Sequence, residues 1–180
     1  MPSSPKVRST PDAATAADTK ARQRKQRIHK GIVLQFMVQL SLADDANLRL
    51  ATRGMGRVHH RILYFAHFAP GITVSELLSV LSVKHQNIQA PLRQLVQEGY
   101  VLTRASEHDG RVKLLYCSRK GDKLLEYVSS GQRERVNRAY ERATAFDVEA
   151  YFKVMAAMLD SDRLAWARRL TEQADPSESV

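Results

Sequence analysis

Residues 73–117 constrain the fold of this chain more than any other stretch. Thr73-Val74-Ser75-Glu76 has the spacing of a capping box, in which the threonine hydroxyl accepts from the Glu76 amide and the carboxylate reaches back. Ile72 before it and Leu77 after it are placed as a hydrophobic staple. The spacing therefore predicts a short helix over Val74–Leu81, then a turn at Ser82-Val83-Lys84. A second helix follows over about His85–Glu98, with Ile88, Leu92 and Leu95 on one face and Gly99 as its stop. Two helices joined by a tight turn, the second with a polar free face, make a helix-turn-helix. Beyond Gly99 the period changes. Tyr100–Arg104 and Arg111–Cys117 read as strands, with Asp109-Gly110 as the strongest turn signal between them. A hairpin placed directly after a helix-turn-helix is a wing.

The flanks are helical. Ile32, Phe36, Leu40, Ala43 and Asn47 recur at spacings of three and four, which predicts a long helix over roughly residues 24–52. Gly54 and Gly56 end it, and a second helix carries Val58, Ile62, Leu63, Phe65 and Ala66 up to Pro70-Gly71. After the wing, Ser118 is a candidate cap for a helix carrying Leu124, Leu125, Val128, Val136 and Tyr140. One last helix carries Phe146, Tyr151, Phe152, Met155, Leu159 and Trp166. The fold class is thus mainly α with a small β wing. Residues 1–22 are expected as a disordered basic arm, 23–54 as an N-terminal dimerisation helix and 55–118 as the winged helix-turn-helix. Residues 119–171 are expected as C-terminal dimerisation helices and 172–180 as a disordered tail.

Charge narrows the partners. The chain has 28 basic against 19 acidic residues and a net charge of +9, which points to a polyanion, either nucleic acid or an acidic membrane. Six of those nine charges lie in residues 1–30, where eight basic residues face Asp12 and Asp18. The longest apolar stretch, Ile32–Ala43, is interrupted by Gln35, Gln39 and Ser41 and is too short to span a bilayer. The first residues have no apolar h-region, so a cytoplasmic protein without membrane attachment is expected; a transit peptide is the alternative for the basic start. Cys117 is the single cysteine, which leaves no internal disulfide.

The order of elements resembles the MarR (multiple-antibiotic-resistance regulator) transcription factors. The resemblance is carried by His59–Phe65, Pro70–Leu78, Leu95–Val101, Ser118–Leu124 and, most specifically, Asp109-Gly110-Arg111, which is similar to the family's Asp-x-Arg wing signature. It implies a two-fold homodimer with intertwined terminal helices and one winged helix on each half-site of a pseudo-palindromic operator. The apolar stripes of the first and last helices agree, because a winged helix alone cannot bury them. In many members a small aromatic or phenolic anion binds between the dimer helices and the winged helix. His60 and Tyr64 are the candidates here for such a pocket, with ordinary packing as the competing reading.

Candidate DNA contacts follow from residue chemistry and position. With Ile88, Leu92 and Leu95 inward, the second helix presents His85, Gln86, Asn87, Gln89 and Arg93. Gln and Asn suit adenine, and Arg suits guanine. In isolation this would be read as a solvated polar face; a following wing favours DNA. Arg111 at the wing tip is expected in the minor groove, with Asp109 orienting it through a charge-assisted bond. A plain surface ion pair is the competing reading. Arg104 and Lys113 are candidate phosphate contacts, and Thr73 and Ser75 are weaker ones. Pro91 falls inside the recognition helix, which predicts a kink or a displaced first turn.

No catalytic motif is recognisable, neither a Ser/His/Asp order nor a glycine-rich phosphate loop nor H-E-x-x-H, so an enzyme is not expected. No cofactor and no metal site are expected either. His60 and His67 lie seven apart on one helix, too far for one ion. Cys117 reads as a structural thiol rather than a redox sensor. The function expected is a sequence-specific DNA-binding transcriptional regulator, a dimeric repressor relieved by a small effector. The alternative is a constitutive DNA-binding, architectural or protein-contact winged helix with no effector.

Overall fold

The structure, a computed structural model, describes residues 13–172. Its elements in order are α1 (Ala13–Ala51), α2 (Arg57–Phe68), β1 (Ile72–Thr73), α3 (Val74–Leu81), α4 (His85–Gln97), β2 (Val101–Ala105), β3 (Lys113–Cys117), α5 (Arg119–Tyr140), α6 (Ala145–Ala157) and α7 (Ser161–Glu172). The chain divides into two compact units, residues 1–41 and 42–180.

In the first unit the described residues are helical throughout. The expected arm over residues 1–22 is corrected in part: residues 1–12 lie outside the described residues, but Ala13–Arg22 belongs to α1. The reason is local. Ala13, Ala14, Ala16, Ala17 and Ala21 have the highest helix propensity of any residue type, and Asp18 meets Arg22 one turn on, at 4.0 Å. Further along, Ile28, Ile32, Leu34, Phe36 and Met37 are exposed, Ile32 to 64%.

The second unit is built on one core. Leu50, Ile62, Leu63, Ile72, Leu77, Ile88, Leu95, Val101, Leu115 and Val128 are fully buried and come from nearly every element between the end of α1 and α5. The capping box forms as its spacing demands. The Glu76 amide donates to Thr73 Oγ1 at 3.1 Å, and the Thr73 amide donates to Glu76 Oε2 at 2.8 Å. α3 ends at Ser82, whose left-handed φ of 51° lets its amide reach the Ser79 carbonyl, and the Val83 amide closes on Leu78. The turn of the helix-turn-helix is therefore made without glycine, and Arg163 of α7 donates to the Ser82 hydroxyl at 2.9 Å. Gly99, at φ +75°, ends the next helix, with the Tyr100 amide folding back to Leu95 at 2.8 Å.

The sheet has the order β1-β3-β2, all antiparallel. β1 has only two residues, Ile72 and Thr73, paired with Leu115 and Leu114; alternation cannot announce so short a strand. β3 begins at Lys113, not at Arg111, because the wing loop runs on to Val112. α5 starts from Ser118, whose hydroxyl accepts the Gly121 amide at 3.0 Å and donates to the Gly99 carbonyl at 2.6 Å.

The single last helix expected over Phe146–Trp166 is instead two, α6 and α7, separated at Asp160. The Asp160 carboxylate accepts the Arg163 amide at 2.8 Å and caps the second. Trp166 packs edge-on to Phe65 of α2 at 5.8 Å, and Leu170 lies against the same core. α7 thus spends its large apolar residues on its own chain. α6 does not: Phe146 is 80% exposed, and Tyr151, Phe152, Val154 and Met158 are exposed too. The expected tail over 172–180 lies outside the described residues except for Glu172, the last residue of α7.

Candidate nucleic-acid interface

α4 owes its position to a buried histidine. His59, in the first turn of α2, accepts the Gly56 amide on Nδ1 at 3.1 Å, and its Nε2 donates to Gln94 Oε1 at 2.9 Å. Gln94 passes the chain on, donating to Glu98 at 2.8 Å. Ile88 and Leu95 are buried beneath, so the helix is anchored by packing on one side and by one polar chain on its flank. The sequence pattern places His59 only on the second helix; the fold brings it to Gln94, 35 residues away.

The opposite face carries the expected side chains. His85, Gln86, Asn87, Gln89 and Arg93 are all exposed. Two of them are already joined, because Gln89 Nε2 donates to His85 Nδ1 at 3.0 Å. Pro91 does not divide the helix. α4 runs from His85 to Gln97 with Pro91 in its interior, and its first turn is closed by the Asn87 amide on Lys84 at 3.0 Å. The carbonyl that Pro91 leaves without an amide partner belongs to Asn87, an exposed residue that water can reach.

The wing divides the other candidates. Arg104 pairs with Leu114, and Lys113 pairs with Ala105. Paired residues share a face and neighbours alternate, so Arg104 and Lys113 stand on opposite faces of the hairpin. Lys113 joins His85, Gln89, Arg93 and Thr103 around a groove of about 370 Å³ between α4 and the sheet. Arg104 instead lies over the ring of Tyr116, 4.9 Å from its centre, which holds the guanidinium to the outer face.

At the tip, the turn is Asp109-Gly110-Arg111-Val112, closed by the Val112 amide on the Asp109 carbonyl at 2.9 Å. Arg111 is therefore central in the turn and exposed. The role expected for Asp109 is corrected in its atoms. Its carboxylate accepts the backbone amide of Arg111 at 2.9 Å, and among the described residues no ion pair joins the two side chains. An aspartate two residues back reaches the amide more readily than the end of a long arginine, and the guanidinium is left facing outward. Thr73 is committed to its cap, while Ser75 is exposed.

A second concavity, about 650 Å³, lies between α2 and α5 and is lined by Tyr64, His67, Phe68, Lys123, Ser129 and Arg133 among others. Tyr64 is 38% exposed and packs against Phe68 with centroids 4.6 Å apart and the rings tilted by 48°; burial raises its pKa above the ordinary phenol value. His60, expected beside it, is not among the lining residues. It bonds to the Ser129 hydroxyl at 3.3 Å, and burial, with Arg61 nearby, holds its imidazole below its ordinary pKa. Cys117 is half-buried, and burial together with the Asp122 carboxylate pushes its thiol up to about 12. Among the described residues no helix is long and apolar enough to cross a membrane.

A helix-turn-helix with a polar outer face, followed by a hairpin that carries an arginine at its tip, defines a winged-helix DNA-binding protein. A family model described as the MarR family matches residues 53–112. The HTH-type transcriptional regulator PetP of Rhodobacter capsulatus is 34% identical over 135 residues, covering 75% of this chain and 81% of that protein. The chain belongs to the MarR family, and it is a DNA-binding transcription regulator rather than an enzyme. Its fold agrees with solved structures. A MarR-family transcriptional regulator from Silicibacter pomeroyi superposes with a TM-score of 0.62 at 16% identity, over 70% of this chain and 85% of that one. Streptococcus pneumoniae FabT, solved in complex with DNA, gives 0.58 at 19% identity, over 74% and 94%.

Proposed function

We propose that the protein is a cytoplasmic homodimeric repressor that binds a pseudo-palindromic operator and is released by a small aromatic or phenolic anion. The observation that carries DNA reading is the outward placement of His85, Gln86, Asn87, Gln89 and Arg93 on α4 together with Arg111 at the wing tip. The helix offers amide and guanidinium groups to base edges, and Arg111 offers a guanidinium to a narrow minor groove. Lys113, beside α4, and Arg104, on the outer face, serve two different phosphates. Asp109 sets the loop that aims Arg111. Dimer formation covers apolar side chains that are exposed in one chain, Phe146, Phe152 and Val154 of α6 and Ile28, Ile32 and Phe36 of α1. The effector site is the cleft between α2 and α5, where Tyr64 supplies an aromatic wall and Lys123 and Arg133 stand beside the carboxylates of Asp122 and Glu126. His60 backs this cleft through Ser129.

The test is a mobility-shift titration on the protein's own promoter region, with and without aromatic acids. Arg111→Ala lowers affinity by about 1–3 kcal/mol and leaves the dimer intact. Wild-type affinity in that variant overturns the wing assignment. Release by an aromatic acid supports the repressor reading. Binding that ignores every such acid, with no shift in thermal stability, supports a constitutive DNA-binding protein.

A further inference from the structure

Three chemically active side chains meet at the root of the wing, and DNA binding uses none of them. His67 is in the last turn of α2, Cys117 ends β3, and Asp122 is in the first turn of α5. His67 Nδ1 and Asp122 Oδ1 are 2.8 Å apart, and the ligating atoms of all three residues lie within 4.8 Å of one another. A histidine–aspartate hydrogen bond accounts for two of them. The same Asp122 carboxylate also hydrogen-bonds the Cys117 thiol, so all three side chains are joined through Asp122, and the thiol further approaches the Tyr100 carbonyl at a long 3.9 Å.

The space around that sulfur rests on a glycine. A Cβ at position 121 would stand 2.6 Å from Cys117 Sγ, so any other residue there would crowd the thiol. On the far side, His67 and Asp122 border the solvent-open cleft between α2 and α5, which gives an ion a way in. The His67 ring is steadied edge-on against Phe68, with centroids 4.5 Å apart.

From this geometry we propose that His67, Cys117 and Asp122 form a binding site for a divalent transition ion of the zinc class, with water as a fourth ligand. The donor set is one imidazole nitrogen, one sulfur and one carboxylate oxygen. Sulfur and imidazole favour zinc and its neighbours, whereas magnesium and calcium take oxygen shells. Metal–ligand distances of about 2.0–2.3 Å place tetrahedral ligands roughly 3.5 Å apart. The present spread closes to that by side-chain rotation, with the His67–Asp122 pair opening slightly. On binding, the Cys117 thiol proton leaves for solvent, and the His67 ring keeps its proton on Nε2 so that Nδ1 presents a lone pair. The bound ion would tie the end of α2, the returning wing strand and the start of α5 into one joint. The proposal does not rest on the aromatic-effector reading.

The experiment uses the full chain, stripped with a chelator and kept reduced. Cobalt(II) is titrated as a spectroscopic probe, and zinc affinity is read by competition with a chromophoric chelator. One cobalt per chain, with a sulfur-to-cobalt charge-transfer band that zinc abolishes and magnesium does not, is expected. Cys117→Ser removes that band, and His67→Gln, at an exposed position, lowers zinc affinity by at least roughly 100-fold. Circular dichroism checks that both variants stay folded, and His108→Gln on the wing loop leaves the cobalt spectrum unchanged. A wild-type protein with no sulfur band at stoichiometric cobalt overturns the proposal. So does wild-type zinc affinity in either Cys117→Ser or His67→Gln.

Discussion

Replacing Gly121 with alanine tests the packing that joins the wing to α5. The new Cβ would lie 2.2 Å from the Tyr100 carbonyl oxygen and 2.6 Å from Cys117 Sγ. A carbon and an oxygen cannot approach so closely, so the Tyr100 carbonyl or the first turn of α5 must retreat by about 1 Å. That carbonyl accepts the Ser118 amide at 3.0 Å, and Ser118 in turn caps α5. Overpacking a tight site costs about 1–3 kcal/mol, and stretching the Ser118 bond costs about 1 more. Alanine returns at most about 1 kcal/mol through its better helix propensity. The net expectation is a loss of about 1–3 kcal/mol. With a urea m-value of about 2 kcal/mol/M, the unfolding midpoint falls by about 0.5–1.5 M at matched protein concentration. Helix propensity alone predicts the opposite sign. An alanine variant as stable as wild type, or more stable, would refute the close approach of Tyr100 to α5.

Thr73→Ala removes the α3 cap and should cost about 1 kcal/mol of stability, read by urea denaturation; no loss would mean Glu76 holds the turn unaided. The Asp45–Arg135 pair, with bonds of 2.8 and 3.0 Å, gives a pH signature. Hydrogen bonding to Arg135 holds the Asp45 carboxyl below its ordinary 3.8, so its stabilisation is complete above that value and is lost as pH falls through the lower folded value. Asp45→Asn should therefore be less stable than wild type at neutral pH, and the gap should close as pH falls below 3.8 through the lower folded value; a gap that persists in acid counts against the pair. Deleting residues 1–22 removes Lys6, Arg8, Lys20 and Arg22. It should weaken all DNA sequences alike and reduce the salt slope of binding by at most about 3.6, and a loss confined to one operator would show instead that this segment reads bases.

Much of the winged helix was legible because its signals are local. The Thr73–Glu76 box, Gly99 and the Ser118 cap each act within a turn of chain, and the structure uses all three as their spacing requires. Local signals also misled where they were weak. The apolar spacing from Phe146 to Trp166 hid a cap at Asp160, and a charged, polar start concealed the alanine content of Ala13–Ala21. The Asp109 carboxylate bonds the Arg111 amide rather than its guanidinium, because the length of an arginine side chain does not say where its end will lie.

The sequence by itself determined the helices from α2 to α5 and the hairpin between them, which face of α4 is buried, and which polar residues stand on its outer face. These are properties of the chain's own period, and they survive whatever packs around them. Only the tertiary structure decided that His59 holds Gln94, that Arg104 and Lys113 face opposite ways, and that His67, Cys117 and Asp122 meet. Each of those depends on residues between 5 and 55 positions apart, brought together by the register of a sheet or the crossing of two helices. No periodicity encodes such a distance; it exists only once the core has closed.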